Sequence, residues 1–365
     1  MTREEINEYR KSFTVEQLNE MAKLYDAGEK VTNIIKKYNL QVATGQISYL
    51  LPMAETDKIC PYCTVPMKRR RKRDSYYLDD IRCEKCGHYY EIWYKTCECI
   101  NCQTKRIQLL EWKKEKIRSY YSEAIPAEKI EYSKLKFKER CLLYILYQVI
   151  EKTTNFNYIS CKAIKDIMVL NLINWMKKEK IIYVSPDSDI DAFSNDDFPA
   201  REYADKVNYV VNVSFSENDK VELLGRTFSL DGVSESEIKE LIYELMYEDL
   251  LIKFRRLLEE RKIDFEPSKK QLKDFRNLLE EGSYTEIQYM CYIVARYYSD
   301  GIITGRFYRK KVPQQVLASV VNFYHNNMNR YGEIHRSDAE YVGKVLRIFI
   351  EDILGKEVTI LNEVI

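Results

Sequence analysis

Hydrophobic positions return every three or four residues along most of this chain, the spacing of helices with one buried face. Residues 2–13 read as a short polar helix. Thr14 and Gln17 then form an S/T-x-x-E/Q capping pair ahead of Leu18, Met21, Leu24 and Tyr25, and Gly28 stops that helix. Val31, Ile34, Ile35 and Tyr38 mark a second helix. Residues 43–51 mark a third, with Ile47, Leu50 and Leu51 inward and Pro52 barring extension. Further on, 105–121 predicts a helix whose stripe is Ile107, Leu110, Ile117 and Tyr121, closed by Pro126. Helical patterns at 135–152, 161–168 and 170–178 precede two strands, 181–185 and 209–215, which is the order of a winged helix. The C-terminal third predicts helices at 234–261, 270–279 and 285–298 and one opened by Pro313 and closed by Gly332. A last helix is capped by Ser337 and Glu340, with Val342, Leu346, Phe349, Ile350 and Ile353 as its stripe.

The helical pattern breaks between residues 54 and 104, and that stretch carries the chemistry. Seven of the ten cysteines lie there. Cys60/Cys63 and Cys83/Cys86 are two C-x-x-C pairs, 19 residues apart, each able to bring two thiolates to one side of a turn. Together they complete a tetrahedral sulfur site suited to zinc. Cys97, Cys99 and Cys102 admit three arrangements: a second zinc site completed by His88, replacement of one pair in a rearranged single site, or free thiols. With four protein ligands to hand, such sites are closed and structural. Zinc would fold a ribbon too short to bury a core unaided.

Between the pairs runs Lys68, Arg69, Arg70, Arg71, Lys72 and Arg73. From residue 58 to 118 there are 16 Lys/Arg against 8 Asp/Glu, in a chain whose formal net charge is +1. Consecutive cations repel, so their expected partner is a polyanion.

Ahead of the ribbon, TVEQLNEMAKLYDAGEKVTNIIKKYNLQVATGQISYLL resembles the N-terminal helix-turn-helix of bacterial resolvases and transposases. The resemblance covers about 40 residues. It implies that the 43–51 helix enters the major groove of double-stranded DNA, with Gln41, Thr44, Gln46, Ser48 and Tyr49 as the exposed candidates. Gly45 departs from it, weakening that helix by about 1 kcal/mol relative to Ala. No resolvase or transposase catalytic domain follows.

The expected fold is therefore mainly α with a small zinc-ribbon β. It divides into a helix-turn-helix (1–54), a zinc ribbon (55–104), a basic connecting helix (105–126), an α/β winged-helix-like domain (127–232) and a helical domain (233–365). The 186–207 connection is acidic, with Asp187, Asp189, Asp191, Asp196, Asp197, Glu202 and Asp205, so it points to protein rather than phosphate. Its Asp-rich run lacks the glycine and glutamate of a calcium loop. Thirty tyrosines suit a protein partner or self-association through the helical C-terminal half.

Charged residues at 32% and hydrophobic ones at 45% describe a globular protein. No apolar run approaches a membrane span, no signal peptide precedes Glu4 and Glu5, and a reducing, cytoplasmic location is expected. Phosphate-loop, dinucleotide and nucleophile-elbow motifs are absent, so no enzyme is legible in the sequence. The functional expectation is a zinc-containing DNA-binding regulator or recruitment factor, of the kind carried by mobile elements or phage-defence cassettes. Two alternatives stay open: a protein- or RNA-binding scaffold subunit, and a metal-dependent nuclease or recombinase drawing on the acidic 187–197 loop.

Overall fold

The computed structural model describes residues 1–71, 81–90, 97–150, 155–161, 164–225, 228–327 and 342–363. The fold is mainly helical with small sheets, and it splits into two compact units, Met1–Lys113 and Lys114–Ile365.

The first unit opens with α1 (Arg3–Arg10), α2 (Val15–Asp26), α3 (Val31–Lys37) and α4 (Ile47–Leu50). Thr14 caps α2 as its sequence requires. Its hydroxyl accepts from Gln17 N, and Gln17 Oε1 accepts from Thr14 N at 2.9 Å. Gly28 (φ +86°) and Asn39 (φ +48°) adopt the left-handed conformation that ends α2 and α3. The expected 43–51 helix is shorter than its apolar pattern suggested: a 3₁₀ turn, Thr44–Gln46, leads into the single turn of α4. Thr44 and Gly45 are poor helix formers, and Pro52 holds Leu51 in extended backbone (φ −72°, ψ 151°). Ile6, Met21, Ile34, Ile47 and Leu50 close the core of this cluster.

Next, β1 (Ala54–Ile59) pairs antiparallel with β2 (Pro66–Arg69), and single bridges join Lys68 to Arg82 and Arg82 to Tyr89. The ribbon core is small: Cys60, Met67, Ile81 and Cys83 are buried, with Val65 and Tyr90 against them. The long α5 (Ile100–Ser122) follows. Its predicted stripe is only half used, since Ile117 and Tyr121 are buried while Ile107 and Leu110, two turns earlier, are exposed.

In the second unit, β3 (Ile130–Glu131) precedes α6 (Phe137–Val149), β4 (Tyr158–Ser160), α7 (Ile167–Lys178), β5 (Ile182–Val184), β6 (Asn208–Val211) and β7 (Val213–Ser214). β6 lies between β4 and β5, antiparallel to both, and β3 runs parallel to β7. Of the helix expected at 161–168, the described residues 161 and 164–166 are not helical. Ser160 closes β4, and Asp166 caps α7 through its side chain. A short apolar run there satisfies strand and helix patterns equally.

The 186–207 connection is folded rather than loose. Ala192 and Phe193 are buried, Tyr121 Oη donates to Pro199 O at 2.7 Å, and Lys177 pairs with Glu202. After α8 (Glu217–Leu224) come α9 (Glu235–Glu260), α10 (Lys269–Asn277), α11 (Tyr284–Ile303), α12 (Val316–Asn327) and α13 (Lys344–Ile348). α13 widens into one π-helical turn, Phe349–Ile353. Val342, Leu346, Phe349, Ile350 and Ile353 are all buried, in one core that runs through residues on both sides of 232. The cap expected at Ser337 and Glu340, with Gly332 before it, lies outside the described residues.

Candidate metal centres and the basic strand

Two turns of nearly identical backbone carry the C-x-x-C pairs. In the first, Thr64 N donates to Cys60 O at 2.9 Å and Cys60 N to Val65 O at 2.9 Å. In the second, Gly87 N donates to Cys83 O at 2.9 Å and Cys83 N to His88 O at 2.7 Å. The residue after each second cysteine is left-handed, Thr64 at φ +55° and Gly87 at φ +72°. This geometry aims both sulfurs of a pair at one point. The points coincide: the Cys60, Cys63, Cys83 and Cys86 sulfurs all lie within 4.8 Å of one another.

A second cluster forms two residues beyond Cys86. His88 Nδ1 lies 3.5 Å from Cys97 Sγ, 3.8 Å from Cys99 Sγ and 3.3 Å from Cys102 Sγ. Cys97 and Cys99 precede α5, and Cys102 sits in its first turn, so this cluster ties the ribbon to the start of that helix. Tyr62, from the first turn, stacks edge-on to His88 and brings its hydroxyl 3.3 Å from Cys102 Sγ.

Both donor sets can hold a metal ion. A tetrahedral ion with metal–sulfur bonds of about 2.3 Å sets its sulfurs about 3.8 Å apart. Cys60 Sγ and Cys86 Sγ are 3.6 Å apart. With a metal–nitrogen bond of about 2.0–2.1 Å the N···S edge becomes about 3.6 Å, a length the three His88 distances straddle.

Each cluster holds one thiol low while others rise, burial pushing Cys86 up to about 12 and Cys99 up to about 11. Burial raises the Cys83 thiol, but amide donors from Cys86 and Lys85 outweigh it and bring it down to about 7. Cys97 is lowered likewise, the amides of Tyr89 and Cys99 overcoming burial. Burial also lowers His88, favouring the neutral ring that ligates metals. Among the described residues, only these two clusters gather three or more potential ligands. The carboxylates of the 187–197 loop do not converge, and Asp187 instead faces Arg118 at 3.4 Å.

No protein family, curated protein or solved structure matches this chain.

The four described members of the basic run make different contacts. Lys68 pairs with Glu84 at 2.8 Å. Arg70 stacks on the Tyr49 ring, 3.9 Å from its centroid. Arg71 is a strut: its Nε donates to Pro52 O at 2.8 Å, its Nη1 pairs with Asp26, and burial lowers its pKa. Arg69 is exposed, and Lys72 and Arg73 lie outside the described residues. Arg71→Ala should therefore lower the stability of the first unit by about 1.5–3 kcal/mol, the loss of a hydrogen bond to a charged donor. Denaturant unfolding followed on residues 1–113 of the intact chain checks this, and an unchanged midpoint would contradict the strut.

The candidate base readers divide similarly. Gln41 and Thr44 are exposed, and the Gln41 backbone N donates to Tyr9 Oη at 3.2 Å. Gln46 spends its side chain on the fold, accepting from Ala43 N and donating to Met1 O. Ser48 and Tyr49 are half-buried. Sequence reasoning missed Arg3, which donates to the Tyr49 hydroxyl; only the fold brings residues 46 positions apart together.

Proposed function

We propose that this chain is a zinc-containing DNA-binding protein that acts as a regulator or recruitment factor. Two structural zinc ions, one on four cysteines and one on His88 with three cysteines, would set the ribbon. They supply no open coordination position, so their part is architecture rather than catalysis. The observation that carries the reading is the pairing of this metal-fitted ribbon with a helical cluster in one compact unit. Arg69, the last residue of β2, and Arg70 after it have no carboxylate at ion-pair distance among the described residues. In the helix-turn-helix reading, the short Thr44–Leu50 segment takes the place of the recognition helix. Thr44 on it and Gln41 just before it are the exposed side chains offered to DNA.

The second unit supports a partner-binding role. The sheet order, with β6 between β4 and β5, supports the winged-helix reading, although only α7 stands between β4 and β5 among the described residues. The segment in its wing position is acidic and packed down, which suits protein rather than phosphate. A protein partner or a second copy would bind through this half, and the cytoplasm is the compartment that keeps its thiols reduced.

Duplex-DNA affinity measured against salt, with and without magnesium, tests the whole reading. Binding should fall with salt at a slope of ~0.9 per neutralised phosphate and leave the DNA intact. Magnesium-dependent cleavage would bring the nuclease reading forward. No binding would sink the DNA reading.

A further inference from the structure

Tyr49 stands where α1, α4 and the end of β2 meet. Arg3 Nη2 donates to its hydroxyl at 3.1 Å, and the Arg3 guanidinium carbon lies 5.0 Å from the ring centroid. The Arg70 guanidinium carbon lies 3.9 Å from the same centroid. Both arms are fixed from behind. Arg3 is the first residue of α1, set by the Thr2–Glu5 capping box and by Gln46 Nε2 donating to Met1 O at 2.8 Å. Arg70 leaves β2 directly and is followed by the Arg71 strut on Pro52 and Asp26.

The neighbouring cations show what is unusual here. Lys68 and Arg71 are neutralised by Glu84 and Asp26. Arg3 and Arg70 have no carboxylate at ion-pair distance among the described residues, and yet the fold brings both to one ring. Each cation–ring interaction at an exposed site offsets the repulsion by only about 0.5–1 kcal/mol. A bridging anion would offset the remainder, and forked guanidinium donors match paired phosphate oxygens.

We infer that Arg3 and Arg70, spaced by the Tyr49 ring, form a clamp for the phosphodiester backbone of duplex DNA. The clamp rests on the DNA-binding reading above. It makes Tyr49 a platform that positions two phosphate-binding arms, not a reader of bases.

The test titrates the full chain with two duplexes of equal length and unrelated sequence across a salt series. Wild type is compared with Arg3→Gln, Arg70→Gln and Tyr49→Leu, with zinc content and far-UV circular dichroism as the check on folding. Each arginine variant should lose on the order of tenfold in affinity for both duplexes. The salt slope should become shallower by ~0.9 for each arginine–phosphate pair removed. Tyr49→Leu should weaken both duplexes together without changing the preference between them; should it fail to fold, the arginine variants decide alone. Arginine variants that keep wild-type affinity and slope would overturn the clamp while leaving the DNA reading in place. So would a Tyr49→Leu protein that changes sequence preference at an unchanged slope. A wild-type chain that binds neither duplex would remove both ideas together.

Discussion

Cys83→Ser should cost the protein nearly all its zinc, whereas Cys102→Ser should cost it half. Both substitutions remove one thiolate from a four-ligand set, but the two clusters are not mechanically equal. Cys83 anchors the turn that presents His88, because its amide donates to the His88 carbonyl and its own carbonyl accepts from Gly87. When the first ion goes, the turn that delivers the histidine goes with it. Cys102 lies on α5, outside both C-x-x-C turns, so its loss leaves the first sulfur set intact. Binding free energy at a structural zinc is folding free energy, on the order of 10–16 kcal/mol, and a ribbon with four buried core residues has little else to hold it. Elemental analysis should give two zinc ions per wild-type chain, about one for Cys102→Ser and close to none for Cys83→Ser. One tightly held ion in Cys83→Ser would show independent sites. Two ions there would sink the ligand set.

The first metal centre was legible because C-x-x-C is itself a geometric statement: two residues between the cysteines leave one turn for the chain to make. The second was legible only as one of three arrangements, because its ligands come from a turn and from a helix start that only the folded ribbon brings together. Thr14 and Gln17 announced α2 because a capping box is completed within four residues. Residues 43–51 misled because a 3₁₀ turn and an α turn bury the same apolar positions over so short a span. The cation run misled differently. Lys68 and Arg69 belong to a strand, which sends successive side chains to opposite faces, while Arg70 and Arg71 lie past its end, so adjacency in sequence does not make a shared surface. Half of its described members are spent on Glu84 and Asp26. The same logic explains why Arg3 escaped notice: its partner is a ring far along the chain.

Asp249→Ala should be the most damaging substitution in the second unit outside its apolar core. Asp249 is 4% exposed on α9, yet it carries a carboxylate. Lys253 Nζ lies 2.7 Å from Asp249 Oδ2 and donates to Tyr284 Oη at 2.6 Å, while the Tyr284 hydroxyl donates to Asp249. Gly343 N completes the set at 3.4 Å and joins the segment entering α13 to α9 and α11. Burial lowers the Lys253 pKa, with Asp249 holding it up, and raises Tyr284 well above the usual phenol range. Removing the carboxylate would take the charge partner from the ammonium and the acceptor from the Tyr284 hydroxyl and the Gly343 amide. Losing one partner of a buried pair costs about 3–5 kcal/mol. The lower end, about 3 kcal/mol, is expected here, because the Lys253 side chain keeps 23% of its surface and can regain water. Asp249→Asn should be nearly as costly if charge dominates, and mild if the hydrogen bonds do. Gly343 supplies an independent check. A Cβ there would collide with the Asp249 carboxylate, so Gly343→Ala should destabilise wild type strongly and an Asp249→Ala background much less. Denaturant unfolding of the full chain, read on the helical transition of residues 114–365, measures wild type and all four variants. Additive losses would show that the two residues do not meet, and a wild-type midpoint for Asp249→Ala would show that the carboxylate holds nothing together.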